Sequence, residues 1–148
     1  MINKYNFAGM ENLFLALADK TRLRLLNLMR RKEVCVCFLT EVLNESQSKI
    51  SRHLAYLRNA NLVTARRDGK WMYYRIQKPE DIFAEQIIQD TLNWLESKEE
   101  MRKDYNNLIK AFRSTEAPVT VERAPSSKIF VQASVNRENR GELETFLL

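Results

Sequence analysis

Two cysteines carry the only strongly nucleophilic side chains of this 148-residue chain. Cys35 and Cys37 stand one residue apart in the stretch Glu33-Val34-Cys35-Val36-Cys37. Soft thiolates favour thiophilic centres such as trivalent arsenic and antimony over hard cations. Thiols at i and i+2 point to one side of an extended segment but about 200° apart around an α-helix. Joint chelation therefore disfavours a regular helix at 35–37, and this β-branched stretch is expected to be short and extended. Arg30, Arg31 and Lys32 precede it, and nearby cations favour the thiolate. Taken alone, the pair reads more readily as two small hydrophobes in a core segment.

Other chemistry is excluded more readily. His53 is the sole histidine, so a histidine-rich zinc site cannot be built from one chain. The three glycines, Gly9, Gly69 and Gly141, make no phosphate-binding loop. No G-x-S-x-G and no nucleophile–base pair is present, so an enzyme is not expected. No run of about 18 apolar residues predicts a membrane span, and the N-terminus lacks a signal-peptide core. The expectation is a soluble, cytoplasmic protein with reduced thiols and no membrane partner.

The net charge of +5 is unevenly distributed. Residues 1–45 carry seven Lys/Arg and five Asp/Glu, a net +2. Residues 46–78 carry eight cations and the single acid Asp68, a net +7, and residues 79–148 carry nine and thirteen, a net −4. A local concentration of this kind is the footprint of a polyanion-binding surface.

The elements that would position these groups follow from pattern. Met10–Ala18 places Leu13, Ala16 and Leu17 at helical spacing. Asp19 caps a second helix, Thr21–Arg31, with Leu23, Leu26 and Met29 at its core spacing and the three cations Arg30–Lys32 at its end. Phe38–Leu43 reads as a brief helix closed by Asn44. Ser46 caps a helix over Gln47–Asn59 with Ile50, Leu54 and Leu57 on one face, and Asn61 suits a left-handed terminator. Leu62–Arg67 and Trp71–Gln77 flank Asp68-Gly69 as a hairpin. From Ile82 to Phe112 apolar residues recur at helical spacing, with a break near Ser97-Lys98. So long an apolar face calls for a partner helix. Residues 114–148 read as a tail, separate from a body over 1–113.

The resulting fold class is mainly α with a β-hairpin wing, a winged helix-turn-helix. Its recognition helix begins at Ser46. Gln47, Ser48 and Ser51 are expected near base edges, and Lys49 and Arg52 near guanine edges or phosphates. His53 either meets phosphate or packs at the helix–domain boundary. Arg66, Arg67 and Lys70 surround the hairpin turn, where they can straddle a phosphate backbone or reach a minor groove.

Several of these segments together resemble one family. They are Thr21-Arg22-Leu23-Arg24-Leu25-Leu26, Cys35-Val36-Cys37, Ser46 to Arg58 and Arg66-Arg67-Asp68-Gly69-Lys70-Trp71-Met72-Tyr73-Tyr74-Arg75. They resemble the ArsR/SmtB metalloregulatory repressors over about residues 10–95, and Cys-Val-Cys points to the arsenic-responsive branch. The resemblance implies a homodimer through the terminal helices. It also implies an inverted-repeat operator bound without inducer, and release when As(III) or Sb(III) binds Cys35 and Cys37, with no prosthetic group. Members of this branch often carry Cys-Val-Cys-Asp-Leu-Cys. Here Phe38 replaces the Asp and Thr40 the third Cys, leaving two thiolates per subunit. Two other readings stay open at this point: a winged-helix repressor sensing oxidants through the same thiols, and a winged helix that binds a protein.

Overall fold

A computed structural model describes residues 6–114; the proposed tail over 114–148 otherwise lies outside the described residues. The elements run α1 (Phe7–Leu17), α2 (Lys20–Leu28), β1 (Val34–Cys35), α3 (Val36–Leu43), α4 (Gln47–Asn59), β2 (Val63–Asp68), β3 (Trp71–Ile76), α5 (Ile82–Glu96) and α6 (Glu99–Arg113). This is the winged helix-turn-helix that the pattern predicts. Among the described residues no helix is long and apolar enough to cross a membrane.

Local chemistry sets most boundaries. Asn6 caps α1 by accepting from the Gly9 amide, three residues ahead of the expected start. Asp19 accepts from the Arg22 amide at 3.0 Å, and Ser46 from the Lys49 amide at 3.2 Å. Asn44 (φ 52°) and Asn61 (φ 60°) adopt the left-handed conformation at the exits of α3 and α4. The hairpin pairs Asp68 with Trp71, so its two-residue loop is Gly69-Lys70 rather than Asp68-Gly69. Gly69 takes the positive φ (61°) that such a loop needs at its first position.

Three expectations are corrected. The second helix stops at Leu28, not Arg31, because Arg30 and Arg31 turn away to reach Tyr105 and Glu96. Its core positions are Leu25, Leu26 and Leu28 rather than Leu23. The short helix starts at Val36, so Cys37 lies in its first turn and only Cys35 is extended. A third strand also joins the wing: β1 pairs antiparallel with β3, giving the order β1-β3-β2.

One core serves the whole body. Ile50, Leu54 and Leu57 of α4 are fully buried with Leu25, Leu26, Leu39, Leu62 and Leu108. Each such side chain contributes about 1.5–3 kcal/mol. Part of the long apolar helical segment finds its cover within the same chain. The break falls at Ser97 and Lys98, and α6 folds back over α2 and α3. There Phe112 meets Phe38 at a ring-centroid distance of 4.6 Å. Asp104, almost fully buried, accepts two bonds from the Arg24 guanidinium at 2.7 and 3.0 Å. Buried Asn27 donates to the Met101 carbonyl at 2.9 Å.

Removing one partner of a buried pair leaves the other charge unsatisfied. Because Arg24 is partly solvated, Asp104→Ala is expected to cost about 2 kcal/mol, between the surface and fully buried cases. Urea denaturation measures this, and the amides of α6 should lose hydrogen-exchange protection first.

Candidate nucleic-acid interface and thiol site

The apolar stripe of α4 faces the core, so its other side is displayed. Gln47, Ser48, Ser51 and Arg52 are all exposed. Lys49 is half-buried and already paired with Glu45 at 2.9 Å. His53 turns out to belong to the helix–domain boundary. Its Nδ1 lies 3.4 Å from Arg22 Nη1 and 3.8 Å from Asp19 Oδ1. Arg22 is the hub of this cluster. It donates to the Ala16 and Leu15 carbonyls at 2.8 and 3.0 Å, satisfying the open end of α1, and stacks 4.1 Å over the Tyr56 ring. None of these long-range contacts leaves a periodic signature in sequence.

On the wing, Arg67 and Lys70 are exposed at or next to the turn, and Lys70 rests over Trp71. Arg66 is engaged elsewhere. It makes a two-pronged pair with Glu33 (2.6 and 3.1 Å) across the sheet and covers the Tyr73 ring at 4.7 Å. The displayed face thus carries Gln47, Ser48, Ser51, Arg52, Arg67 and Lys70, all exposed, while Lys49 pairs with Glu45 and Arg66 with Glu33.

The thiol site sits at the strand–helix junction. Cys35 ends β1 opposite Tyr73, and its extended backbone (φ −68°, ψ 142°) is the N-cap of α3. The next turn of chain brings the Cys37 sulfur to 3.3 Å from that of Cys35. The geometric objection to a helical pair is thus met by placing one thiol before the helix and one inside it. Cys35 is buried and Cys37 half-buried. The hydrogen-bonded Cys37 thiol, and then burial, hold the Cys35 thiol well above the usual range. Two of the three cations preceding the pair are engaged elsewhere: Arg30 lies 4.0 Å over Tyr105 and Arg31 pairs with Glu96 at 3.0 Å. Thr40 donates its hydroxyl to the Cys37 carbonyl at 2.8 Å. Among the described residues no group of three or more His, Cys, Asp or Glu side chains could hold a metal ion together.

Large apolar side chains are also displayed. Phe7, Phe14 and Leu15 on α1 and Ile82, Phe83 and Trp94 on α5 are exposed, Phe7 by 97%.

Fold, basic helix and wing define a DNA-binding regulator, and comparison with known proteins agrees. Residues 19–65 match the model of the bacterial regulatory protein arsR family. The arsenic resistance transcriptional regulator ArsR1 of Pseudomonas putida is 46% identical over 88 residues, spanning 55% of this chain and 68% of that protein. The arsenical resistance operon repressor of Escherichia coli K12 is 40% identical over 99 residues, spanning 66% and 83%. A homodimeric winged helix-turn-helix DNA-binding domain from Mycobacterium bovis superposes with a TM-score of 0.51 at 25% identity, covering 60% of this chain and 80% of that one. The chain belongs to the arsR family and is a transcriptional repressor of that family rather than an enzyme.

The boundary role of His53 has a pH consequence. Burial, the largest influence, pulls its pKa below the ordinary value although Asp19 opposes this. The unfolded chain then binds more protons than the folded one near that range, so stability is complete above the unfolded imidazole pKa and falls as pH drops through the folded one. Urea midpoints should decrease from about pH 7.5 to about pH 5.5, across the imidazole range. His53→Gln should flatten that dependence.

Proposed function

We propose that this protein is a cytoplasmic repressor that binds an inverted-repeat operator as a homodimer and is released when arsenite or antimonite binds Cys35 and Cys37. The observation that carries the sensing reading is the 3.3 Å separation of the two sulfurs. With metal–thiolate bonds of about 2.3 Å, sulfurs so spaced subtend about 90° at a bridging atom. A tetrahedral centre would need them about 3.8 Å apart. The pair thus suits a pyramidal trivalent centre better than zinc. Arsenous acid also tolerates protonated thiols. Two As–O bonds break, two As–S bonds form, and each thiol proton leaves with a hydroxide as water. The third hydroxide stays on arsenic, which remains trivalent, so no third cysteine is required.

The route to DNA is short. Cys37 is in the first turn of α3, and α3 joins α4 through Asn44, Glu45 and Ser46 alone. Closing the thiols around one atom shifts α3 against the fixed β1, and the start of α4 with it. Gln47, Ser48 and Ser51 contact base edges, Lys49 and Arg52 guanine edges or phosphates, and Arg67 and Lys70 the flanking backbone. Arg66 joins them only by loosening Glu33. The exposed apolar faces of α1 and α5 supply the dimer contact, as patches of that kind do. Residues 1–113 form the operator-binding body.

A gel-shift titration with and without arsenite, on the full chain and on residues 1–113, tests this reading. Arsenite should abolish the shift in the wild type and leave it unchanged in Cys35→Ser/Cys37→Ser. Arsenite release that persists in the double variant overturns the sensing site and spares the DNA-binding one. Arg52→Ala should weaken operator binding about tenfold. The two adjacent sulfurs also favour oxidant sensing as a second reading. Mass spectrometry after peroxide treatment separates the two, because only oxidation changes the protein mass by oxygen atoms or by loss of hydrogen.

A further inference from the structure

The Arg22 guanidinium, on a side chain 12% exposed, reaches three elements at once. Its Nε and Nη2 donate to the Ala16 and Leu15 carbonyls in the last turn of α1 at 2.8 and 3.0 Å. Its Nη1 stands 3.9 Å from the carboxylate of Asp19, the N-cap of α2. The same nitrogen lies 3.4 Å from His53 Nδ1, and the guanidinium covers the Tyr56 ring at 4.1 Å. His53 and Tyr56 both belong to α4. A guanidinium has donors only, so His53 Nδ1 accepts, which requires the neutral imidazole with its proton on Nε2. We propose that Arg22 is a positioning residue for sequence recognition: it ties α4 to the end of α1, and neutral His53 is the α4 side of that tie.

This rests on α4 being the helix that reads the operator. The core fixes how deep α4 sits, through Ile50, Leu54 and Leu57. Apolar burial is non-directional, so it constrains the sliding and rotation of a helix less than its depth. Contacts to base edges need side chains held within about 0.5 Å of their working positions. The Arg22 fork and the His53 acceptor supply the directional contacts that apolar packing lacks. α1 also carries Phe14 and Leu15 of the proposed dimer face. A tie from α1 to α4 therefore helps set the spacing between the two recognition helices of a dimer, which must match the half-sites. The tie is conditional on protonation. Charged His53 loses the acceptor and sets a cation 3.4 Å from Nη1, with Lys49 and Arg52 of α4 adding charge of the same sign. Asp19, at 3.8 Å, then attracts the imidazolium and shares its carboxylate between two cations. Burial holds the imidazole below its usual pKa, so the tie is complete at about pH 7.5.

Two measurements on the full chain test the proposal. The first needs no DNA and follows ¹⁵N-amide shifts from about pH 7.5 to about pH 5.5. Residues 15–18 at the end of α1 should titrate with residues 52–56 of α4, at one midpoint. Arg22→Lys keeps the charge but has no planar fork to hold two carbonyls and an imidazole, so in it residues 15–18 should stop following His53. The second measures affinity for a duplex that the wild type enriches from a random-sequence pool, and for an unselected random duplex. Arg22→Lys should lower the ratio of the two affinities about tenfold and leave random-duplex affinity and its salt slope unchanged. The wild-type ratio should fall as pH drops over the same range. His53→Gln, whose amide oxygen still accepts from Arg22, should keep the ratio and flatten that fall. Both duplexes meet the same folded fraction, so a change in stability cancels from the ratio. If Arg22→Lys does not fold, the wild-type pH profile and His53→Gln decide. A ratio unaltered in Arg22→Lys, a loss shared equally by both duplexes, or a wild-type ratio flat with pH overturns the role of Arg22. Failure to enrich any duplex overturns the operator reading itself.

Discussion

The pairing of β1 with β3 is the constraint on which the candidate sensor depends. Two residues, Val34 and Cys35, sit opposite Tyr74 and Tyr73. That short ladder holds Cys35 extended and sets the start of α3 at the next residue. Without it, the helical tendency of Val36–Leu43 could extend backwards, and two thiols at i and i+2 would diverge around one cylinder. The same ladder joins the thiol site to the wing. Tyr73 lies between Cys35 and Arg66 in register, and Arg66 returns to Glu33, two residues before Cys35. The thiol pair and the wing base are thus one hydrogen-bonded unit.

A second layer of organisation comes from α6. It covers α2 and α3 through Phe38–Phe112 packing, the Arg24–Asp104 pair and the Asn27–Met101 bond. These contacts fasten both elements that flank β1. The loop cations then have defined work: Arg30 and Arg31 brace the loop against Tyr105 and Glu96. The face of α3 that packs on α6 is thereby held.

Local grammar made much of this legible in the sequence. Ser46 and Asn61 bracket α4 as a capping residue and a left-handed terminator should, and Ile50, Leu54 and Leu57 told which side is displayed. The break at Ser97-Lys98 was visible in the polar interruption of an apolar repeat. The unreadable features are long-range. Arg24 and Asp104 are 80 residues apart, and Arg66 and Glu33 are 33 apart, so no periodicity announces them. A two-residue strand is too short to alternate, so the extended stretch was expected but neither its pairing with β3 nor the start of α3 at Val36 could be read. The residues after Leu28 keep helical character, but tertiary partners for the arginines won over propensity. His53 was ambiguous for the same reason: only the fold brings Asp19 and Arg22 beside it.

The closeness of the two cysteines along the chain has a thermodynamic consequence. A chelate closed over three residues removes almost no loop entropy, and an unfolded chain retains the same two thiols within reach of one atom. A bidentate ligand therefore binds the denatured ensemble as well as the native one, and only the difference between those affinities appears as added stability. The folded protein need not supply the chelate. In the proposed switch its contribution is to convert a local bond into displacement, so tight binding and effective signalling are separable properties of such a site.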